Sequence, residues 1–105
     1  MASANDPIEL LRRSSGFDWD IYNYYKNWQK HGITAEEAQE VFTNQPLLAY
    51  EDSKHSDTEQ RYLAYGKTNG GMRLFVSYTF RGDKIRIISA RKMNQKERTL
   101  YEQEG

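Results

Sequence analysis

The side chains best suited to chemistry in this sequence are His31 and His55, a set of arginines (Arg61, Arg73, Arg86, Arg91), and Tyr78 and Tyr101. Histidine titrates near neutrality and can take or give a proton. Arginine binds phosphate and steadies the charge that grows on it. Together these types meet the needs of RNA cleavage without a metal. A base takes the proton of the ribose 2′-hydroxyl, cations hold the phosphorane, and an acid protonates the departing 5′-oxygen. One lost electrostatic donor in such a site costs about 3–4 kcal/mol. Each residue also has a plainer reading. Lys30-His31 can end a helix against its dipole, His55 can be a solvent-facing loop residue, and either tyrosine alone fits a core. An arginine on a covered strand is usually held by a carboxylate.

Other chemistries find less support. Cysteine is absent, which removes thiol nucleophiles and disulfides. No P-loop, dinucleotide fingerprint or nucleophile elbow occurs. The two histidines lie 24 positions apart, so a histidine-built metal site is not expected. Glu51, Asp52 and Asp57 lack calcium-loop spacing and read as solvated loop acids. Neither a metal nor a cofactor is expected.

These residues need elements to position them. Lys84–Lys92 is the strongest strand signal, with Ile85, Ile87 and Ile88 uninterrupted by Gly or Pro. Alternation puts Ile85, Ile87, Ser89 and Arg91 on one face and Arg86, Ile88 and Ala90 on the other. Apolar residues on both faces predict a central strand covered on both sides. Leu47–Tyr50, Arg61–Lys67 and Met72–Phe80 are the further strands, with a hairpin turn at Thr68-Asn-Gly-Gly71. Phe17-Asp-Trp19 reads as a short edge strand.

Asp20 is expected to cap a helix to about Lys30, with Ile21, Tyr24, Tyr25 and Trp28 as its apolar stripe and His31-Gly32 ending it. Thr34 with Glu37, and Asn94 with Glu97, form capping boxes that open two more helices, the last running through Tyr101. Asp6-Pro7 opens a short helix over Ile8–Arg13. Runs of helices and strands segregated in this way predict an α+β fold. It would have a mostly antiparallel sheet, two N-terminal helices and a C-terminal helix. Residues 1–16 read as a partly flexible N-terminal extension and 17–105 as a single domain.

Hydrophobic residues make up 37% of the chain, enough for a modest core. The formal net charge of zero hides an asymmetry. Residues 1–60 hold 5 Lys+Arg against 11 Asp+Glu, and residues 61–105 hold 10 against 4, so −6 faces +6. The basic half can supply a phosphate-binding patch or can attract the acidic half. No apolar run approaches membrane-spanning length and no signal peptide is visible, so a cytoplasmic protein without membrane contact is expected.

Phe17-Asp-Trp-Asp20, Asn27, Lys30-His31-Gly32, Glu36–Phe42, Glu51-Asp52, Glu59-Gln-Arg61, Tyr78-Thr79, Arg81-Gly-Asp83 and Ile85–Lys92, with Glu97 and Tyr101, occur in an order that resembles the BrnT family of bacterial toxins. The resemblance runs from about residue 17 to 103. It implies a RelE-like fold and an endoribonuclease that blocks translation. It also implies neutralisation by a BrnA-like ribbon-helix-helix antitoxin, through which alone the pair would reach operator DNA and repress its own operon. A non-catalytic RNA- or protein-binding module on the same fold, repressing with its antitoxin, is the alternative.

Asn23 stands where the family commonly has lysine, Tyr24-Tyr25 replace a commonly polar pair, and Met1–Ser15 lies outside the pattern. The resemblance turns the arginines toward phosphate. The expected catalytic group is then Lys30, His31, Arg86, Arg91 and Tyr101, gathered where the first domain helix and the Ile-rich strand end. Arg61, Arg73, Tyr78 and Arg81 are expected to contact RNA.

Overall fold

In the computed structural model, which describes residues 6–55 and 58–105, each helix starts at the side-chain cap its sequence announces. Asp6 Oδ1 accepts from the Ile8 amide at 3.0 Å to open α1 (Pro7–Arg12). Asp20 Oδ1 accepts from Asn23 at 2.7 Å to open α2 (Ile21–His31), which ends on left-handed Gly32 at φ +69°. The two capping boxes open α3 (Ala35–Glu40) and α4 (Gln95–Glu104). Between α3 and α4 run β1 (Leu48–Glu51), β2 (Arg61–Lys67), β3 (Arg73–Arg81) and β4 (Lys84–Lys92). Neighbouring strands pair antiparallel in the order β1-β2-β3-β4. The expected α+β fold with an antiparallel sheet is therefore present.

The core fills one face of this sheet. Ile33, Ala38 and Val41, from α3 and its approaches, pack with Ala64, Leu74, Val76, Tyr78, Ile85, Ile87 and Ala90. Leu10 and Leu11 of α1 join the rim, so the N-terminal segment docks on the domain over its described part. Of the extension expected to be partly flexible, residues 1–16, the first five lie outside the described residues. Tyr101 Oη donates to the Pro46 carbonyl at 2.5 Å, tying α4 to the loop before β1. Among the described residues no helix is long and apolar enough to cross a membrane.

Three expectations about placement need correction. First, β4 is an edge strand, not a central one. Its free edge is nonetheless covered. The Ile85 amide donates to Gly16 O and the Asp18 amide to Ile85 O, both at 2.9 Å. Second, the expected strand at Phe17–Trp19 is therefore a single parallel bridge from Phe17 to Ile85.

Third, the stripe Ile21, Tyr25 and Trp28 of α2 faces outward, and the buried residues of that helix are Asn23 and Asn27. The reason is the edge itself, where strand carbonyls without a pairing strand need donors. Asn23 Nδ2 reaches Ile87 O at 2.9 Å and Lys26 Nζ reaches Ile88 O at 3.0 Å. Polar residues turn inward to meet that need, and the aromatic residues are left outside.

Candidate active site on the open face of the sheet

The sheet face away from the core is built from cross-strand rows. Register places Leu48, Tyr65, Phe75 and Arg91 in one row and Tyr50, Leu63, Ser77 and Ser89 in the next. The third row holds Arg61, Thr79 and Arg86. Both arginines of β4, Arg86 and Arg91, reach this face because of a bulge. Ser77 pairs with Ser89 but Tyr78 pairs with Ile87, so Ile88 is an extra residue. It shifts the alternation by one, leaving Ile85, Ile87 and Ala90 inside and Arg86 and Arg91 outside. Regular alternation would have set the two arginines on opposite faces.

A trough of about 390 Å³ crosses the middle of this face. Asp52, Lys54 and His55 form one wall, Arg61 and Leu63 of β2 and Phe75 and Ser77 of β3 the floor, and Ile88 and Ser89 of β4 the far side. The wall is ordered locally. The Asp52 amide donates to Arg61 O at 2.9 Å, and a single 3₁₀ turn over Ser53–His55 follows. That turn brings His55 Nδ1 to 2.8 Å from Asp52 Oδ2. An ionised carboxylate only accepts, so Nδ1 is the donor of this pair, and Nε2 points away from Asp52. The Asp52 side chain is 11% exposed and that of His55 65% exposed, so a buried acid orients an accessible imidazole.

Arg91 lies over the Phe75 ring at 4.5 Å and makes a forked pair with Glu97 at 2.8 and 2.9 Å. The pair raises Arg91 above its ordinary value and, with the Asn94 amide, holds the Glu97 carboxyl below its own. Arg86 is taken by Asp20 at 2.8 Å and Asp18 at 3.7 Å. The Asn23 amide and the Arg86 guanidinium together lower the Asp20 carboxyl. Among the described residues no group of His, Cys, Asp or Glu side chains is arranged to share a metal ion. Asp57 lies outside the described residues.

Residues 19–97 match the family described as "Ribonuclease toxin, BrnT, of type II toxin-antitoxin system". The chain belongs to the BrnT family. The crystal structure of the Brucella abortus ribonuclease toxin BrnT matches with a TM-score of 0.57 and 26% identity. That match covers 78% of this chain and all of the Brucella protein. A comparison with curated protein sequences finds no match. Membership makes this chain a ribonuclease toxin of a toxin–antitoxin pair, with RNA as target and an antitoxin as partner.

Within the BrnT fold, the residues expected to act are spread over several places. Arg61 lines the trough and Arg91 flanks it at Phe75. Arg86 is held at the start of α2, whereas Lys30 and His31 form its exposed last turn, about 16 Å further along the axis. Tyr101 sits against Pro46 and is buried. Arg73 pairs with Glu102 at 2.5 Å and Arg81 with Glu59 at 3.8 Å, both on exposed surface.

Tyr78, an expected RNA contact, is wholly buried among Phe42, Tyr62 and Phe80 and is out of reach of any ligand. The expectation omitted the Asp52–His55 pair. Its signal was the Asp-x-x-His spacing, which one tight turn converts into contact.

Proposed function

We propose that this chain cleaves RNA in the trough on the open sheet face, with His55 as the proton-transfer group and no metal in the step. The observation that carries the reading is the 2.8 Å contact between His55 and the buried Asp52 at the wall of a cation-lined trough. Nε2 of His55 takes the 2′-hydroxyl proton as the 2′-oxygen attacks phosphorus. The bond to the 5′-oxygen breaks, leaving a 2′,3′-cyclic phosphate and a 5′-hydroxyl. Lys54, on the same turn, protonates the leaving oxygen. Asp52 holds the imidazole in its tautomer and stabilises the imidazolium. Arg61 and Arg91 hold the phosphate, and the Tyr65 and Phe75 rings lie along the row where a base can stack.

We propose further that the antitoxin binds on the side of the basic half of the chain. An acidic segment of a ribbon-helix-helix antitoxin covers the trough, and the antitoxin carries the pair to operator DNA.

A second reading assigns proton transfer to His31, with Lys30 beside it in the last turn of α2. The exposure of Lys30 and His31 in the last turn of α2 favours it. Single-turnover cleavage of a labelled RNA in chelator separates the two. His55→Ala is expected to slow cleavage ~10²–10⁴-fold with the melting temperature unchanged, and His31→Ala to leave the rate near wild type. A His55→Ala protein as fast as wild type removes His55 from the site. A product lacking the cyclic phosphate end rejects the chemistry.

A further inference from the structure

Three contacts fix how α2 lies along the edge of β4. Arg86 reaches Asp20, the Ile87 carbonyl accepts from Asn23 at 2.9 Å, and the Ile88 carbonyl accepts from Lys26 at 3.0 Å. Each three-residue step of the helix thus meets the next residue of the strand. The buried side chains of α2, Asn23 and Asn27, mark its inward direction. At 3.6 residues per turn, Tyr24 and Lys26 stand about 80° to either side of that direction. Tyr24 is on the side of α3, where its hydroxyl meets Glu36, and α3 packs on the core face. Lys26 is on the other side, toward the open face.

The carbonyl that Lys26 meets belongs to the bulge residue, whose side chain forms with Ser89 the far side of the trough. A carbonyl oxygen is about 2.4 Å from its own Cα, so the ammonium stands within about 5.5 Å of the Ile88 Cα. Lys26 is half-buried, and among the described residues no carboxylate pairs with it. The acids bordering this face are engaged elsewhere, Asp18 and Asp20 by Arg86, Glu97 by Arg91 and Asp52 by His55. Capping an edge carbonyl does not call for a charge, since Asn23 serves Ile87 with a neutral amide. A half-buried cation costs more than an amide there. Of its three donors, the ammonium gives one to Ile88 and keeps two for something else.

We propose that Lys26 is a phosphate contact for RNA at the far rim of the trough, where the strand passes over β4. The inference rests on the trough as the RNA site and adds a cation on the side opposite His55. From that rim Lys26 meets a phosphate flanking the scissile one. It therefore binds and orients the strand and takes no part in proton transfer. One turn further on the same side, about 6 Å along the axis, Lys30 is exposed and continues the cationic line.

The test is binding of a fluorescein-labelled RNA of ~12 nucleotides with 2′-O-methyl riboses, which cannot be cleaved, followed by anisotropy over a range of KCl in chelator. Lys26→Gln keeps an amide donor for the Ile88 carbonyl and removes the charge. It is expected to weaken binding several-fold and to lower the slope of log affinity against log salt by ~0.7, the share of one phosphate on a single strand. Lys26→Arg is expected to keep the slope. A Lys26→Gln protein with a lower melting temperature and an unchanged slope overturns the inference, because the lysine is then structural. Lys54→Gln on the opposite wall reads the trough itself. If it lowers the slope and Lys26→Gln does not, the trough stands and the Lys26 contact is wrong. If neither moves it, RNA binds elsewhere and the trough reading falls together with Lys26. A Lys26→Gln protein that keeps its RNA affinity but loses its antitoxin also overturns the inference, because the cation then serves the protein partner.

Discussion

Replacing Tyr78 by Phe should make this protein more stable. The Tyr78 ring is wholly buried, stacked on Tyr62 at 5.5 Å and edge-on to Phe42 at 5.1 Å and Phe80 at 5.8 Å. Phenylalanine keeps all of those contacts. What it removes is a hydroxyl that finds no hydrogen-bond partner among the described residues. A buried polar group left unpaired costs ~1–3 kcal/mol. Removing one oxygen leaves a small void that offsets part of the gain, so the net effect expected is about 1 kcal/mol. For a domain of this size that is a rise of ~4–8 °C in melting temperature.

The same burial gives a pH signature. Desolvation, with a smaller contribution from Tyr62, pushes the Tyr78 hydroxyl well above its ordinary value of 10.0. The unfolded chain therefore releases this proton at lower pH than the folded one. Stability is fully present below pH 10 and falls above it, by ~1.4 kcal/mol for each pH unit until the folded value is reached. Tyr78→Phe should remove that share of the alkaline loss. Urea titrations of both proteins at neutral pH and above pH 10 read both effects. If Tyr78→Phe lowers the neutral midpoint, the hydroxyl has a partner that stabilises the fold, and the argument fails. If it instead slows RNA cleavage at unchanged stability, Tyr78 serves the RNA and the placement of the site is wrong.

Two further substitutions test the packing and the charge pair. A Cβ on Gly66 would stand 2.6 Å from Val41 Cγ1 and 3.2 Å from Val41 O, so Gly66→Ala should cost ~1–3 kcal/mol, and an unchanged denaturation midpoint would show that α3 gives way easily. Glu97 is held below its ordinary 4.5 first by Arg91 and then by the Asn94 amide, so its stabilisation is present above pH 4.5 and is lost as pH falls through the lower folded value. Glu97→Gln should cost ~1–2 kcal/mol at neutral pH and flatten this acid limb; equal acid sensitivity in both proteins counts against the pair as its source.

Much of this architecture is written in short stretches of chain. Asp6, Asp20, Thr34 and Asn94 cap their helices by bonds spanning two or three residues, so each is legible without knowing the fold. The alternation of β2 appears directly in its burial, odd positions half-buried and even ones buried. The order of motifs from Phe17 to Tyr101 carried the family, and the match over residues 19–97 bears that out.

Three matters were decided only when distant parts met. The extra residue at Ile88 is defined by what β3 offers opposite, Ser77 and Tyr78, and no local signal in Ile-Ile-Ser announces it. That one residue moved Arg91 to the same face as Arg86. The inward face of α2 depends on a second distant fact, that β4 is the edge strand. Carbonyls of Ile87 and Ile88 then need donors more than the core needs Tyr25 and Trp28. The trough, finally, joins a turn at residues 52–55 to strand residues up to 89. Periodicity reports how a segment meets its surroundings on average. Which surroundings it meets is set by pairing between segments far apart in sequence, and that pairing exists only in the folded chain.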